Sequence, residues 1–407
     1  MRIHLFGKIL FMFIFISCVE EIQVKEDISG ITSVPELVIN GRIQSGDKTK
    51  VYISQTQPLG SEEFPVAIYN AKVYVVGENG YESSLAEYDR ENNCYVIDTK
   101  ELPANSRYCL KVMLDGEVYQ SEFMDVLESP MIDSVTYKEH QSEIFNGISL
   151  HVSTHGDDSE SRFYLWTYEE DWEFHAPIDI IGIGGGILDY SPDFYQFDKA
   201  NIYNHYYFCW QHLESANIHI YDTSILTSNE VKDVELFRIS IDDIRISYIY
   251  RILVKQCSLD KKAFEYYNLL KKQSEESGGL FAPMPTEVKG NVTCTSNPDI
   301  KVHGYVLASS VSTKSLFVYE SNLSMPSEYE GECSILRPHD LTLNWEKYWD
   351  VQISKYGAIA LTTNGSYLPI NNSNYKQSKL YQRECVDCRT VKGATKKRPD
   401  FWPNNHE

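Results

Sequence analysis

The chain has 407 residues, with 37 Lys and Arg against 58 Asp and Glu, for a formal net charge of −21. A surface so acidic repels phosphate backbones and anionic lipid faces, which excludes nucleic acid as a partner. At 42% hydrophobic residues and a mean hydropathy of −0.35 the chain can nonetheless bury sizeable cores.

The first predicted element is an export signal. Arg2 and Lys8 flank the start of the apolar run Ile9–Ile16, which is too short for a stable transmembrane helix. The run ends in Phe15-Ile16-Ser17-Cys18, a bacterial lipobox with Phe in place of the usual Leu. Residues 1–17 then form a lipoprotein signal peptide, and Cys18 is the predicted lipidation site and membrane anchor. An ordinary cleaved signal that happens to contain a cysteine is the alternative. Residues 18–35 are polar and weakly patterned, a lipid-anchored tether. What remains exceeds the usual size of one domain.

From Glu36 the pattern turns to short runs rich in Val, Ile and Tyr. Leu37–Ile43, Val51–Thr56, Ala71–Val76, Cys94–Ile97, Tyr108–Val112 and Val118–Phe123 are broken by turns such as Glu78–Tyr81 and Leu114–Glu117. This spacing predicts an antiparallel β-sandwich over residues 36–127. Leu127-Glu-Ser-Pro130 reads as the boundary, because proline favours an extended link. The second unit, 128–407, continues with strands at Ile132–Tyr137, Ile148–Val152, Arg162–Tyr168, Ile218–Tyr221, Val234–Ile241 and Arg245–Lys255. One helix is predicted over 259–276, with Ser258 as N-cap and Gly278-Gly279 as the stop. Lys289–Thr295, His303–Ser309 and Ser315–Tyr319 follow as strands before a loop-rich, cysteine-containing tail. The expected fold is mainly β: two Ig-like or transthyretin-like antiparallel sandwiches with one α-helix inserted in the second.

An exported chain meets an oxidising compartment, so the eight cysteines beyond Cys18 favour disulfides. Cys94–Cys109 is the expected pair, since both lie in successive strands around a turn. Cys385 and Cys388 are expected to tie the tail to earlier cysteines, with Cys209 and Cys333 as candidates; a redox pair or half of a zinc site is the alternative for this Cys-x-x-Cys. Other candidate chemistry is thin. Gly182–Gly186 lacks the βαβ frame of a dinucleotide loop. Ser258-Leu-Asp-Lys261 matches Ser-x-x-Lys without its Lys-Thr-Gly partner. His205, His212 and His219 would alternate faces of a strand. The acidic cluster Glu169, Glu170, Asp171 and Glu173 is expected to be a solvated face, with a calcium or catalytic carboxylate site as the alternative. No catalytic residue, metal site or cofactor is therefore assigned. The 29 tyrosines suit a surface that binds sugars, peptides or proteins.

Several segments together carry a family resemblance: Leu37–Ile43, Ala71–Val75, Pro130–Val135, Tyr164–Glu169 with Trp172–Phe174, and Cys209-Trp210. So do Ser277–Phe281 with Gly290–Val292, Gly304–Val311, and Cys385-Val-Asp-Cys-Arg389 before Pro399–Trp402. In this order they resemble the Bacteroidota lipoprotein family known as domain of unknown function 4249; one departure is Gly393-Ala394, where that family is expected to carry Gly-Gly. Glu20 and Glu21 stand where surface-export signals of such lipoproteins carry acids. The resemblance implies an outer-membrane lipoprotein facing outward, with a carboxypeptidase-regulatory-like first sandwich. It also implies a non-enzymatic binding or accessory subunit of a TonB-dependent nutrient transporter, with a glycan or peptide as possible ligand. A surface adhesin or structural envelope lipoprotein without a transport role is the alternative.

Overall fold

The computed structural model describes residues 35–57, 65–177, 207–215, 217–276, 288–329, 335–336, 360–362, 379–381, 385 and 387–403. Cys18 and the signal, the glycine run Gly182–Gly186, His205 and Cys333 lie outside the described residues.

The chain first lays down β1 (Leu37–Gln44), β2 (Lys48–Gln55), β3 (Lys72–Gly77), β4 (Glu87–Asp89), β5 (Cys94–Asp98), β6 (Arg107–Leu114), β7 (Glu117–Ser121) and β8 (Met124–Asp125). Strands β1, β2, β5 and β4 form one sheet, and β7, β6, β3 and β8 a second. Alternation places Ile39, Ile43, Val51, Ile53, Tyr95 and Ile97 of the first sheet against Val73, Val75, Tyr108, Leu110 and Val112 of the second.

The chain then leaves to build β9 (Ile132–Gln141), β10 (Asn146–His155), β11 (Phe163–His175), β12 (Phe208–Glu214), β13 (His219–Asp222), β14 (Glu230–Ser240) and β15 (Ile249–Leu259), followed by α1 (Lys261–Glu276). The sheet β14-β10-β9 packs on a sheet of β12, β11 and β15, with β13 also on β11. Trp166, Tyr164, Phe174, Ile148, Leu150, Tyr250 and Ile252 fill the space between. The run from Arg245 does not start as a strand: Ile244–Ile246 is a turn of 3₁₀-helix capped by Asp243, and the strand begins at Ile249. It also runs on through Leu259, paired with Phe163. The helix therefore starts at Lys261 rather than 259, and Asp260, not Ser258, caps it, accepting the Ala263 amide at 2.7 Å.

After the helix the chain returns to the first sandwich. Strand β16 (Val292–Cys294) pairs with β7, while β17 (Val302–His303) and β18 (Val306–Ser309) run parallel to β1. The sequence alone assigns these strands to the second unit; the structure uses them to close the first. Parallel neighbours need a long crossover, and here the connection takes in the rest of the first sandwich and then β9–β15 and α1 of the second. Finally β19 (Ser312–Tyr319) joins β15. Three further short strands, Ile335–Leu336, Ala360–Thr362 and Lys379–Tyr381, pair with one another.

The return is stitched by side chains that fit backbone. Asn291 donates to the Val306 carbonyl and accepts its amide, both at 2.8 Å. Asn40 accepts the Tyr305 amide at 3.0 Å. Gly304, at φ +99°, and Gly290 lie so close that a Cβ on Gly290 would sit 1.6 Å from the Gly304 carbonyl oxygen. Beside the stitch, the outgoing and returning chains cross together: the Leu127 amide donates to Ala308 and the Ser310 amide to Leu127. Helix α1 fills the junction, with Ala263 and Tyr266 packed between Leu165, Cys257 and Leu259 of one sandwich and Tyr305 and Leu307 of the other.

The expected Cys94–Cys109 disulfide does not form; both thiols are free and buried. Their neighbours Tyr95, Ile97, Tyr108 and Leu110 face the shared core, so alternation turns Cys94 and Cys109 to opposite outer faces of the sandwich. A pair separated by the thickness of two sheets is beyond disulfide reach. Burial pushes the Cys109 thiol up to about 11 and raises Cys94 as well, which keeps both unreactive. Cys209 is instead bonded to Cys388, 179 residues away, and Cys385 is disulfide-bonded too. The tail so held runs antiparallel to β12, with amide–carbonyl bonds in both directions between Trp210 and Thr395; the outer rim of that strand is thereby covered.

Two measurements check this arrangement. Gly290→Ala should destabilise the protein by about 2 kcal/mol or more, seen as a lower urea midpoint; an unchanged midpoint would mean that the return does not seat as described. Peptide mapping without reduction should recover Cys209 linked to Cys388, with Cys94 and Cys109 as separate free thiols.

Candidate functional site

Two cross-strand rows face each other where the sandwiches meet. On the outer face of the first, Arg42 lies between Leu307 and Lys50 in register, with Tyr52 one step along β2. On the second, Lys255 lies between Thr167 and Thr313. These rows, with Tyr267 from α1 and Glu214 and Ser215 from the end of β12, line a cleft of about 430 Å³. Its size is that of a small organic-ligand site, and a seam between two domains is a common place for one.

The cleft holds four cations, Arg42, Lys48, Lys50 and Lys255, against three carboxylates, Asp47, Glu169 and Glu214. Two of the cations are matched: Lys255 bonds Glu169, and Lys50 lies 3.7 Å from Glu214. Asp47 accepts the Gln44 amide at 3.4 Å. Arg42 has no ion pair among the described residues, and its buried Nε has no hydrogen-bond partner. Burial raises the Tyr52 phenol to about 12, so it remains a neutral donor at any physiological pH. A larger depression of about 860 Å³ lies over the loops of the first sandwich, but its Arg107 is already bonded to Glu78 and to the Phe123 carbonyl.

Of the acidic cluster of β11, Glu169 lines the cleft; the other three are elsewhere and do not form a solvated face. Glu170, Asp171 and Glu173 are each less than 5% exposed. Alternation sends Glu170 into the inter-sheet core, where Arg245 and the Tyr250 hydroxyl both donate to it at 2.8 Å. On the opposite face Asp171 accepts from Arg251 at 2.6 Å and sits 2.8 Å from His212 Nδ1. Glu173 accepts the Trp402 indole at 2.7 Å. The acids are thus distributed over two faces and held by separate donors, an arrangement for structure rather than for paired carboxylate chemistry.

The histidines and serines singled out from sequence divide in the same way. His212 faces outward beside Asp171, whereas His219 is in register with the core residue Trp166; its burial, followed by the charge of Lys271, lowers its pKa to about 4. Ser258 donates to the Glu128 carbonyl at 2.9 Å and is buried, which leaves no nucleophile for the Ser-x-x-Lys reading. A Ser-His-Asp cluster that sequence reasoning missed sits on the outer face of β10. Ser149 Oγ is 2.7 Å from His151 Nε2 and 2.6 Å from His140 Nε2, and His151 Nδ1 is 3.3 Å from Asp233. Ser149 is fully buried, so its hydroxyl cannot meet a substrate, and the cluster ties three strands together.

Fold and cleft together define a double β-sandwich protein with an interposed helix and a polar, partly cationic seam. The family Domain of unknown function (DUF4249) matches residues 19–315, and the chain belongs to that family. No curated protein matches it. Among solved structures, E. coli alpha-2-macroglobulin in its native conformation is similar at 8% identity over 56% of this chain and 13% of its own length, with a TM-score of 0.16, a likeness that carries no argument.

His212 provides a pH test. Its hydrogen bond to Asp171 raises its pKa above the ordinary 6.5, so its protonated form stabilises the fold. That contribution is complete below the unfolded value and is lost as pH rises through the higher folded value. His212→Ala should therefore cost up to about 1 kcal/mol at pH 5.5 and almost nothing at pH 9, measured by urea unfolding at both.

Proposed function

We propose that this protein is a lipid-anchored binding protein of the bacterial outer membrane, probing the cell exterior as an accessory subunit of a TonB-dependent nutrient transporter. The observation that carries the reading is the cleft between the sandwiches, a concave, tyrosine- and cation-lined site with a pair of facing strand rows as its walls. The lipobox at Cys18, the acids Glu20 and Glu21, and the tether to residue 35 support attachment at a membrane surface with freedom to reach a neighbour. The reactive groups described above are tied into buried ion pairs and hydrogen bonds, which favours binding over catalysis as the role of the cleft. A glycan or peptide in transit is the ligand this site suits.

Purifying the lipidated protein from native outer membranes in mild detergent tests the reading. Stoichiometric recovery of a TonB-dependent barrel is expected, and Cys18→Ala should release the protein from membranes. Recovery of the protein alone would overturn the transport role in favour of a free-standing surface adhesin, and membrane retention of Cys18→Ala would overturn the anchor.

A further inference from the structure

We propose that the cleft takes an organic molecule bearing a single carboxylate, and that Arg42 is the residue that receives it. The inference rests on the reading of the cleft as a binding site and names its ligand chemistry.

The charge distribution leads there. In a chain with 58 acidic and 37 basic residues, a cation in contact with a carboxylate is the easily met condition. The buried and half-buried cations around β11 meet it: Arg245 with Glu170, Arg251 with Asp171 and Lys255 with Glu169. Arg42 does not, although it is half-buried and its Nε is screened from solvent without a partner. Arg42 nonetheless lines the cleft with no carboxylate of its own among the described residues, so an acceptor in the cleft would meet a guanidinium charge that the fold leaves unpaired. Lys50 stands beside Arg42 in register, with its own carboxylate a loose 3.7 Å away, and Lys48 lines the same rim.

The chemistry of the walls narrows the class. A guanidinium presents parallel N–H donors in a fork that matches a planar carboxylate. Asp47, Glu169 and Glu214 stand around the same space and repel a multiply charged polyanion, so one carboxylate fits better than a phosphate chain or a polyuronate. The remainder of the ligand meets Tyr52, Tyr267, Leu307, Thr167 and Thr313, rings and hydroxyls suited to the body of a sugar or a peptide. The carboxylate could thus belong to a terminal uronic acid of a glycan or to the C-terminus of a short peptide.

Calorimetry on the lipidated protein in detergent distinguishes these sources. The probes are glucuronosyl-xylose against xylobiose, and acetyl-Ala-Tyr-Ala against its C-terminal amide. Within one pair the carboxylate form should bind at least 10-fold more tightly than its neutral partner, and the pair that does so identifies the source. Arg42→Gln should weaken that carboxylate by about 10- to 100-fold and leave the neutral partner unchanged, while Lys232→Gln, at an exposed site on β14, changes neither. The wild-type comparison needs no variant to fold. Equal binding of both members of each pair, no binding of either carboxylate form at millimolar concentration, or an Arg42→Gln protein that keeps the preference would overturn the proposal. Co-purification with a barrel is read separately, so loss of the ligand class and loss of the transport role are distinct results.

Discussion

The architecture depends on the return of residues 290–309 to a sandwich begun more than two hundred residues earlier. Strand β18 lies parallel to β1, β16 extends the opposite sheet through β7, and both are locked by Asn291 clasping the Val306 backbone. Two consequences follow. The first sandwich cannot complete its core without the returning segment, since Val292, Cys294, Val306 and Ala308 are part of that core. The two sandwiches are also joined by several chain passes rather than by one linker, with the crossing at Leu127 and Ser309 hydrogen-bonded as a pair. A single flexible link would leave the relative orientation open; paired crossings with a helix wedged beside them hold the facing rows of the cleft at a set distance.

Strand alternation accounts for where charge went. On β11 the inward residues Tyr164, Trp166, Tyr168, Trp172 and Phe174 are core, yet Glu170 shares their face. It is tolerated there because Arg245, delivered by the 3₁₀ turn just before β15, and Tyr250 supply its donors. Asp171 is served across the sheet by His212 on one side and Arg251 on the other, with the Phe401 ring 3.9 Å from the Arg251 guanidinium. Glu173 is served by Trp402 from the tail. The C-terminal segment therefore completes the polar bonding of the second sandwich's outer face, and the Cys209–Cys388 bond holds it in place to do so.

Much of this was legible in the residues. Period-two runs located most strands because each buries one face, and the helix was visible because Phe264, Tyr267 and Leu270 fall on one side of it. Its start is ambiguous in the sequence because Ser258 and Asp260 are both good caps, and only the ladder partner of Leu259 decides between them. The pairing of Cys94 with Cys109 failed for a similar reason: proximity along the chain says nothing of which face a strand residue takes once its sheet is chosen. The assignment of 289–309 to the second unit failed because parallel pairing across a long crossover leaves no local signal. Three of the segments that carry the family resemblance contain these stitching points: the Asn40-Gly41 step, Gly290-Asn291 and Gly304. They serve the closing of the fold, and one of them contains Arg42 without marking it.

That last point separates the roles of two kinds of residue in one strand. In β1 the inward Ile39 and Ile43 are demanded by the core and Asn40 by the returning chain, so each has a structural partner that accounts for it. Arg42, between them, has none: no core contact requires a guanidinium, and a neutral side chain of similar length would cover Leu307 equally well without leaving a buried Nε unmatched. Its neighbours across the cleft, by contrast, are balanced, with Lys255 neutralised by Glu169 and flanked in register by threonines. With Lys255 and Lys50 matched by Glu169 and Glu214, Arg42 and its rim neighbour Lys48 are left without a carboxylate among the described residues, and a bound acceptor would answer that charge. The cleft is thus a position in the described fold where the ion pairs among the residues themselves leave cationic charge unanswered.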